Sequence, residues 1–347
     1  MPTWGEYLQE IAARSATDPN VLDTVRREAL ARLNGITGRP TVLYASRWVQ
    51  GGNSEKISLQ IEDLQGFMEA FHGLRGPSVD LILHTPGGSP NATAAVVEYT
   101  RTRFSDVRVI VPLAAMSAGT MLACSGNRIV LGKHSYLGPI DVQLSLETPL
   151  GRQMVPALAI IKQFATAKKE IATTGRMSAW LPMLGQYGPG LLEECNNMRK
   201  LSEELVATWL ENWMFAAQRD RRKRSRAVAK HLNDHDKHLT HGRFLGRDVL
   251  RKFGLVIDDL EASYPDRAKS QEFQDAVLSV LHTATHAFVT APQVNKIIEN
   301  HTGKAFITST PMAMPPMAMR SPFPMFPMAP PLPPPGTTPP ASPPPTT

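Results

Sequence analysis

The chain has 347 residues, of which 42% are hydrophobic and 20% charged, enough apolar material for a packed core and too little charge for a disordered polyelectrolyte. Its two cysteines, Cys124 and Cys195, are too few and too far apart for a disulfide framework or a Cys-rich zinc site. The net charge of +6 raises nucleic acid as a partner, but much of the excess sits in one run at 219–226 (RDRRKRSR). No aromatic platform accompanies that run, so a solvated helical face is expected and no nucleic-acid partner.

In chain order, residues 1–35 carry Leu, Ile and Ala at helical spacing. The opening stretch MPTWGEYLQEIAARS contains acidic residues and lacks the apolar run of a secretory leader. Nowhere does the sequence reach the roughly 18 apolar residues needed to span a bilayer. A cytoplasmic location with both cysteines reduced is therefore expected. Residues 41–45 (TVLYA) read as a strand. A helix from Ser54, its N-cap, to residue 74 is predicted to show Ile57, Ile61, Leu64, Met68 and Phe71 on one face. Strands are predicted at 79–83 (VDLIL), 107–111 (VRVIV) and 128–131, with a helix at 90–103 and a short one after Ser117. That alternation is the pattern of βαβ units around a parallel sheet. From about 155 to 232 the chain reads as mostly helical, and 254–257 as a last short strand. Residues 311–347 hold 16 of the chain's 30 prolines and 6 of its 15 methionines, so a disordered, partly polyproline-II tail is expected there.

Two strand ends carry unusual sequence, and ligands of a parallel sheet bind at the carboxyl ends of its strands. The first is His84-Thr85-Pro86-Gly87-Gly88. A Gly-Gly pair leaves backbone N–H groups free to face outward as an oxyanion cradle, although the same residues also suit an ordinary tight turn. The second is Met116-Ser117-Ala118-Gly119, where a strand enters a helix through small residues. Ser117 at that corner reads as a nucleophile or, alternatively, as a plain helix N-cap. The two motifs lie one βαβ step apart, which sets the cradle beside the serine. One oxyanion donor would come from Gly87 or Gly88 and the other from Ala118.

The run Thr85-Pro86-Gly87-Gly88, then Ala114-Ala115-Met116-Ser117-Ala118-Gly119-Thr120, then Gly138-Pro139-Ile140-Asp141 resembles the Clp-class serine peptidases, and most of all the serine dehydrogenase proteinase family, which is similar to signal peptide peptidase A. The resemblance is strong over about 75–145. It persists more weakly to about 260, where His241-Gly242-Arg243 and Phe253-Gly254-Leu255 also look like that branch. It implies a Clp-protease/crotonase-like α/β spiral of ββα units, homo-oligomeric assembly, and hydrolysis of protein or peptide substrates by an activated serine, with no cofactor. The chain is expected to divide into an N-terminal helical segment at 1–35, the peptidase domain at 36–265, a helical extension at 266–308 and, outside the resemblance, the Pro/Met-rich tail at 309–347.

The base is where the sequence departs from the family pattern. No histidine stands in register after the nucleophile helix, and His134 falls several residues early. A Ser-Lys dyad would draw on the helix at 155–173, whose lysines are Lys162, Lys168 and Lys169. Position in the helix favours Lys162. Burial, which a lysine base needs in order to lose its proton, favours Lys168 on the stripe of Leu158, Ile161, Phe164, Ala165 and Ile171. Asp141 is expected to orient a partner or to cap its own turn. His84, beside the cradle, reads as a structural histidine in preference to a base. The cluster His231, His235, His238 and His241 lacks the Cys or carboxylate pattern that would complete a metal site. The expected function is thus a serine peptidase. A catalytically silent scaffold of the same fold, recruiting partners through its tail, and a crotonase-like acyl-CoA enzyme stand as alternatives.

Overall fold

A computed structural model describes residues 3–51, 54–148 and 151–310. The centre of the molecule is a seven-stranded sheet. In spatial order its strands are Ile257–Asp259, Arg128–Leu131, Asp106–Val111, Ser78–His84, Thr41–Ser46, Val294–Asn300 and Ala305–Ser309. The first five run parallel, and the last two add antiparallel.

Strands such as Thr41–Ser46 are buried along their whole length, as parallel strands covered on both faces must be. Alternate residues feed two separate cores. Val42, Tyr44, Leu81, Leu83, Val109 and Val111 pack on one side with the helices Pro90–Arg103, Ala118–Cys124 and Leu191–Trp209. Leu43, Ala45, Ile82 and Ile110 pack on the other with Val21–Thr37 and Arg267–Thr290. The result is a mixed α/β fold with a mostly parallel sheet between helical layers, as expected.

Three expectations need correction. The single helix from residue 54 to 74 is two helices, Ser54–Ile57 and Asp63–Phe71. Leu59 between them is drawn out straight to bridge Gly88: its N–H donates to Gly87 O at 2.7 Å, and its carbonyl accepts from Ser89 N–H at 2.9 Å. The buried face of the second helix is Asp63, Gly66, Phe67, Ala70 and Phe71, whereas Ile61 and Met68 point outward. The Ser54 side chain lies outside the described residues. Second, residues 294–309, expected inside a helical extension, form the hairpin that completes the sheet, because Lys296 to Asn300 alternate against the first strand. Third, an unforeseen hairpin, Gln143–Thr148 with Gly151–Pro156, precedes the helix Ala157–Thr174.

The Pro/Met-rich segment lies, from residue 311 on, outside the described residues. The basic run falls largely on the helix Arg221–Leu232, which buries Ser225, Val228, Ala229 and Leu232 and leaves Arg221, Arg222, Lys223 and Arg226 exposed. Among the described residues no helix is long and apolar enough to cross a membrane.

One small element matters more than its size suggests. Ala114–Ala115, Tyr136–Leu137 and Leu245–Gly246 form a three-stranded sheet, and Thr85 bridges onto its edge at Ala115. Four distant chain segments are thereby brought to one place. Each leads within a few residues to a polar group discussed next: Gly87, Ser117, Asp141 and His241.

Candidate active site

Ser117 sits at the corner between Ala114–Ala115 and the helix Ala118–Cys124 with φ 51° and ψ −119°. A non-glycine residue there costs of the order of 1–3 kcal/mol and persists only when its surroundings enforce it. The enforcement is visible: every residue of the helix is buried, and Thr120 Oγ1 is hydrogen-bonded to Ala115 O and to Gly138 at 2.9–3.0 Å. The Ser117 hydroxyl makes no capping bond to the helix, so the N-cap reading fails. The half-buried side chain is left at the floor of a cleft.

Gly87 lies against that corner. A Cβ on it would sit 2.5 Å from Met116 O, 2.7 Å from Ser117 Cβ and 2.8 Å from Ala118 N, and its φ of 101° already excludes most side chains. Its N–H donates to Thr85 Oγ1 at 3.1 Å. Gly88 is the free one. Because the Leu59 strand bonds to the groups on either side of Gly88, the Gly88 N–H turns away from Leu59. Neither it nor the Ala118 N–H has an acceptor among the described residues. Of the two glycines considered as oxyanion donors, geometry favours Gly88, while Gly87 supplies the close approach.

The cleft has a volume of about 390 Å³ and is lined by Gly87, Gly88, Ser117 and His241 together with Met121, Ile140, Val142, Met154 and Met198. His241 Nδ1 lies 2.8 Å from Asp141 Oδ1. The other carboxylate oxygen takes His235 Nδ1 at 2.7 Å and Gln143 Nε2 at 2.9 Å. Burial pushes the Asp141 carboxyl up, but the bonds from His241 and His235 outweigh it and hold the group below the usual carboxylate range. The arrangement is a serine, an imidazole and a buried carboxylate converging on one apolar cleft with two unoccupied amide donors, which are the parts needed for acyl transfer.

Sequence reasoning did not single out His241 as a candidate base. It stood out only as a family-like tripeptide and as one of four clustered histidines, and its partner Asp141 lies 100 residues away.

The lysines go elsewhere. Lys162 is exposed and ion-paired with Asp236. The helix buries Ala157, Ile160 and Ala167, which places Lys168 about 100° round from the inward stripe and exposed, with Lys169. None of the three lines the Ser117 cleft. His134 is exposed and also outside it. His84 is almost fully buried next to Trp48, with ring centroids 5.7 Å apart, and burial pushes it down to about 4. It is not among the residues lining the cleft. In the histidine cluster, His238 Nε2 meets His231 O at 2.8 Å and His231 packs on Phe253.

A family model described as ClpP-like SDH-type serine proteinase matches residues 59–174. This segment is thus similar to that family. The matched segment contains Gly87, Gly88, Ser117 and Asp141 but ends before His241. An uncharacterized protein of Methanocaldococcus jannaschii is 33% identical over 105 residues, 30% of this chain and 34% of that protein. A second uncharacterized protein of the same organism is 35% identical over 66 residues, 19% of this chain and 23% of its own length. A Na(+)/H(+) antiporter NhaA of Brucella melitensis is 24% identical over 178 residues, 50% of this chain and 22% of that protein. The chain thus spans about a third or less of the length of the curated relatives it matches.

Proposed function

We propose that the chain is a serine peptidase in which Ser117 is the nucleophile, His241 the base, Asp141 its orienting carboxylate, and the N–H groups of Gly88 and Ala118 the oxyanion donors. Ser117 Oγ bonds to the scissile carbonyl carbon while its proton passes to His241 Nε2, the ring nitrogen not turned to Asp141. The carbonyl oxygen, now an anion, is held by the two amides. The C–N bond then breaks, His241 returns the proton to the leaving amine, and water deprotonated by the same imidazole releases the acyl group.

The five aliphatic and methionine side chains of the cleft suit an apolar side chain next to the scissile carbonyl of a protein or peptide substrate. Homo-oligomeric assembly and a cytoplasmic location, both expected from the sequence, remain parts of the same proposal.

The observation that carries the reading is the strained backbone of Ser117, which presents an uncapped hydroxyl to the cleft shared with His241. The silent-scaffold alternative drew its main support from a missing base and a little from the Pro-rich tail, and a His241–Asp141 pair on the cleft that Ser117 lines weighs against the first of these. An acyl-CoA enzyme would need the two amides but not the strained serine. The test is labelling by a fluorophosphonate, which phosphonylates activated serines with loss of fluoride. The native chain is expected to label and Ser117→Ala to remain blank; equal labelling of both would sink the assignment.

A further inference from the structure

We propose that His235 is a positioning residue for the acyl transfer: it holds the Asp141 carboxylate from the side away from His241 and so fixes the orientation of the base. The inference rests on the peptidase reading above.

Asp141 is buried and ionised, so it offers only acceptors, and the two imidazoles that meet it both carry their proton on Nδ1. His241 takes Oδ1, while His235, at 2.7 Å, takes Oδ2. With a ring on each oxygen, the carboxylate cannot rotate without breaking a charge-assisted bond. Remove His235, and Oδ2 keeps only the neutral amide of Gln143.

The segment carrying His235 is itself braced. His235–His238 is a single helical turn. Asp236 is held by Lys162 from the neighbouring helix, and Asp234 by Lys237 at 3.4 Å. His238 meets the His231 carbonyl, and Arg243 donates to the carbonyls of Lys237 and His238 at 3.2 and 3.4 Å. The chain then turns through Leu239 at φ 66° to deliver His241. The seven residues 235–241 thus bring two imidazoles to one carboxylate.

Loss of the second imidazole loosens the carboxylate and with it the base, which slows the attack of Ser117. A histidine that served shape alone would lower stability and leave the rate of the folded protein in place.

The experiment measures the rate at which a fluorophosphonate phosphonylates Ser117, with loss of fluoride, in the full chain, for native, Ser117→Ala, His235→Leu, His235→Asn, His235→Gln and His241→Ala forms. His235→Leu is expected to react roughly tenfold more slowly, as for one lost charge-assisted bond. His235→Asn, whose amide reaches the place of Nδ1, is expected to recover most of the rate, and His235→Gln, whose amide falls at Nε2, much less. Native rates in a folded His235→Leu overturn the inference. If the Leu variant does not fold, equal rates for the Asn and Gln variants do so instead. Labelling that needs Ser117 and His241 but ignores residue 235 sinks this inference alone, whereas native labelling that does not depend on Ser117 sinks the peptidase reading with it.

Discussion

The two halves of the candidate site are built by different forces. The nucleophile corner is packed into the core: Ala114, Ala115, Met116 and all of Ala118–Cys124 are buried, and Gly87 meets the corner with no room for a Cβ. The base corner is a loop held by polar bonds, flanked by Leu239, 76% exposed, and Phe244, 64% exposed. Close packing transmits any change of volume at once, whereas a polar loop yields locally. Damage to the first corner should therefore remove stability and chemistry together, and damage to the second should separate them.

The largest expected effect breaks chemistry alone. Asp141→Asn should lower the rate of Ser117 acylation about 10³–10⁴-fold with a much smaller change in melting temperature, read by stopped-flow labelling beside thermal denaturation. A collapse of the fold in that variant would contradict the division just drawn. Gly87→Ala should do the opposite. Its new methyl would meet backbone at 2.5–2.8 Å on a residue with φ 101°, so a loss of about 2–4 kcal/mol is expected together with the labelling.

Acid should also act on the core side. His84 is held to about 4 by burial, far below an unfolded histidine near 6.5. The unfolded chain therefore takes up a proton that the folded one refuses. Stability is complete above pH 6.5 and falls as pH drops toward 4, by about 3 kcal/mol for this residue alone. His231, His238, His282, His286 and His301, all lowered chiefly by burial, add in the same direction. Asp141 acts below that window: with its carboxyl held low, its contribution is full above the unfolded value and is lost as pH falls through the folded one. Chemical denaturation at a series of pH values reads both, and a flat profile between 6.5 and 4 would contradict the burial of His84.

Two smaller effects sharpen the picture. Ser117→Gly should be more stable than Ser117→Ala by about 1 kcal/mol, since only glycine relieves the backbone at φ 51°. Lys162→Ala, an exposed pair broken, should cost no more than about 0.5 kcal/mol and leave acylation nearly intact, where a lysine base would lose it altogether.

The sheet and the nucleophile corner were legible because their signals are local. Runs such as VDLIL and VRVIV have the length and content of buried strands, and Gly-Gly and Met-Ser-Ala-Gly stand directly at strand ends. The base was not, because it depends on pairs of two-residue strands, Ala114–Ala115, Tyr136–Leu137 and Leu245–Gly246, that have no periodicity to detect. Lys168 misled through a register error of one residue on a helix whose inward positions are Ala157, Ile160 and Ala167. The helix expected through residue 59 failed for a tertiary reason, since Leu59 is needed as the strand that turns Gly88 outward.

The hairpin at 294–309 has a bearing on the order in which the molecule is made. Its first strand covers Thr41–Ser46, a strand buried along its whole length. Its Lys296 holds Asp63 at 2.6 Å and the Ser58 carbonyl at 3.0 Å, next to the Leu59 segment that supports Gly88. A growing chain that has emerged only to residue 250 already contains Ser117, Asp141 and His241, yet one side of its sheet is bare and its oxyanion cradle is unbraced. Such a bare strand invites pairing with another chain, and contacts this distant form late. On the proposed peptidase reading, the site is completed only once this hairpin pairs, and until then the bare strand leaves the unfinished molecule open to aggregation.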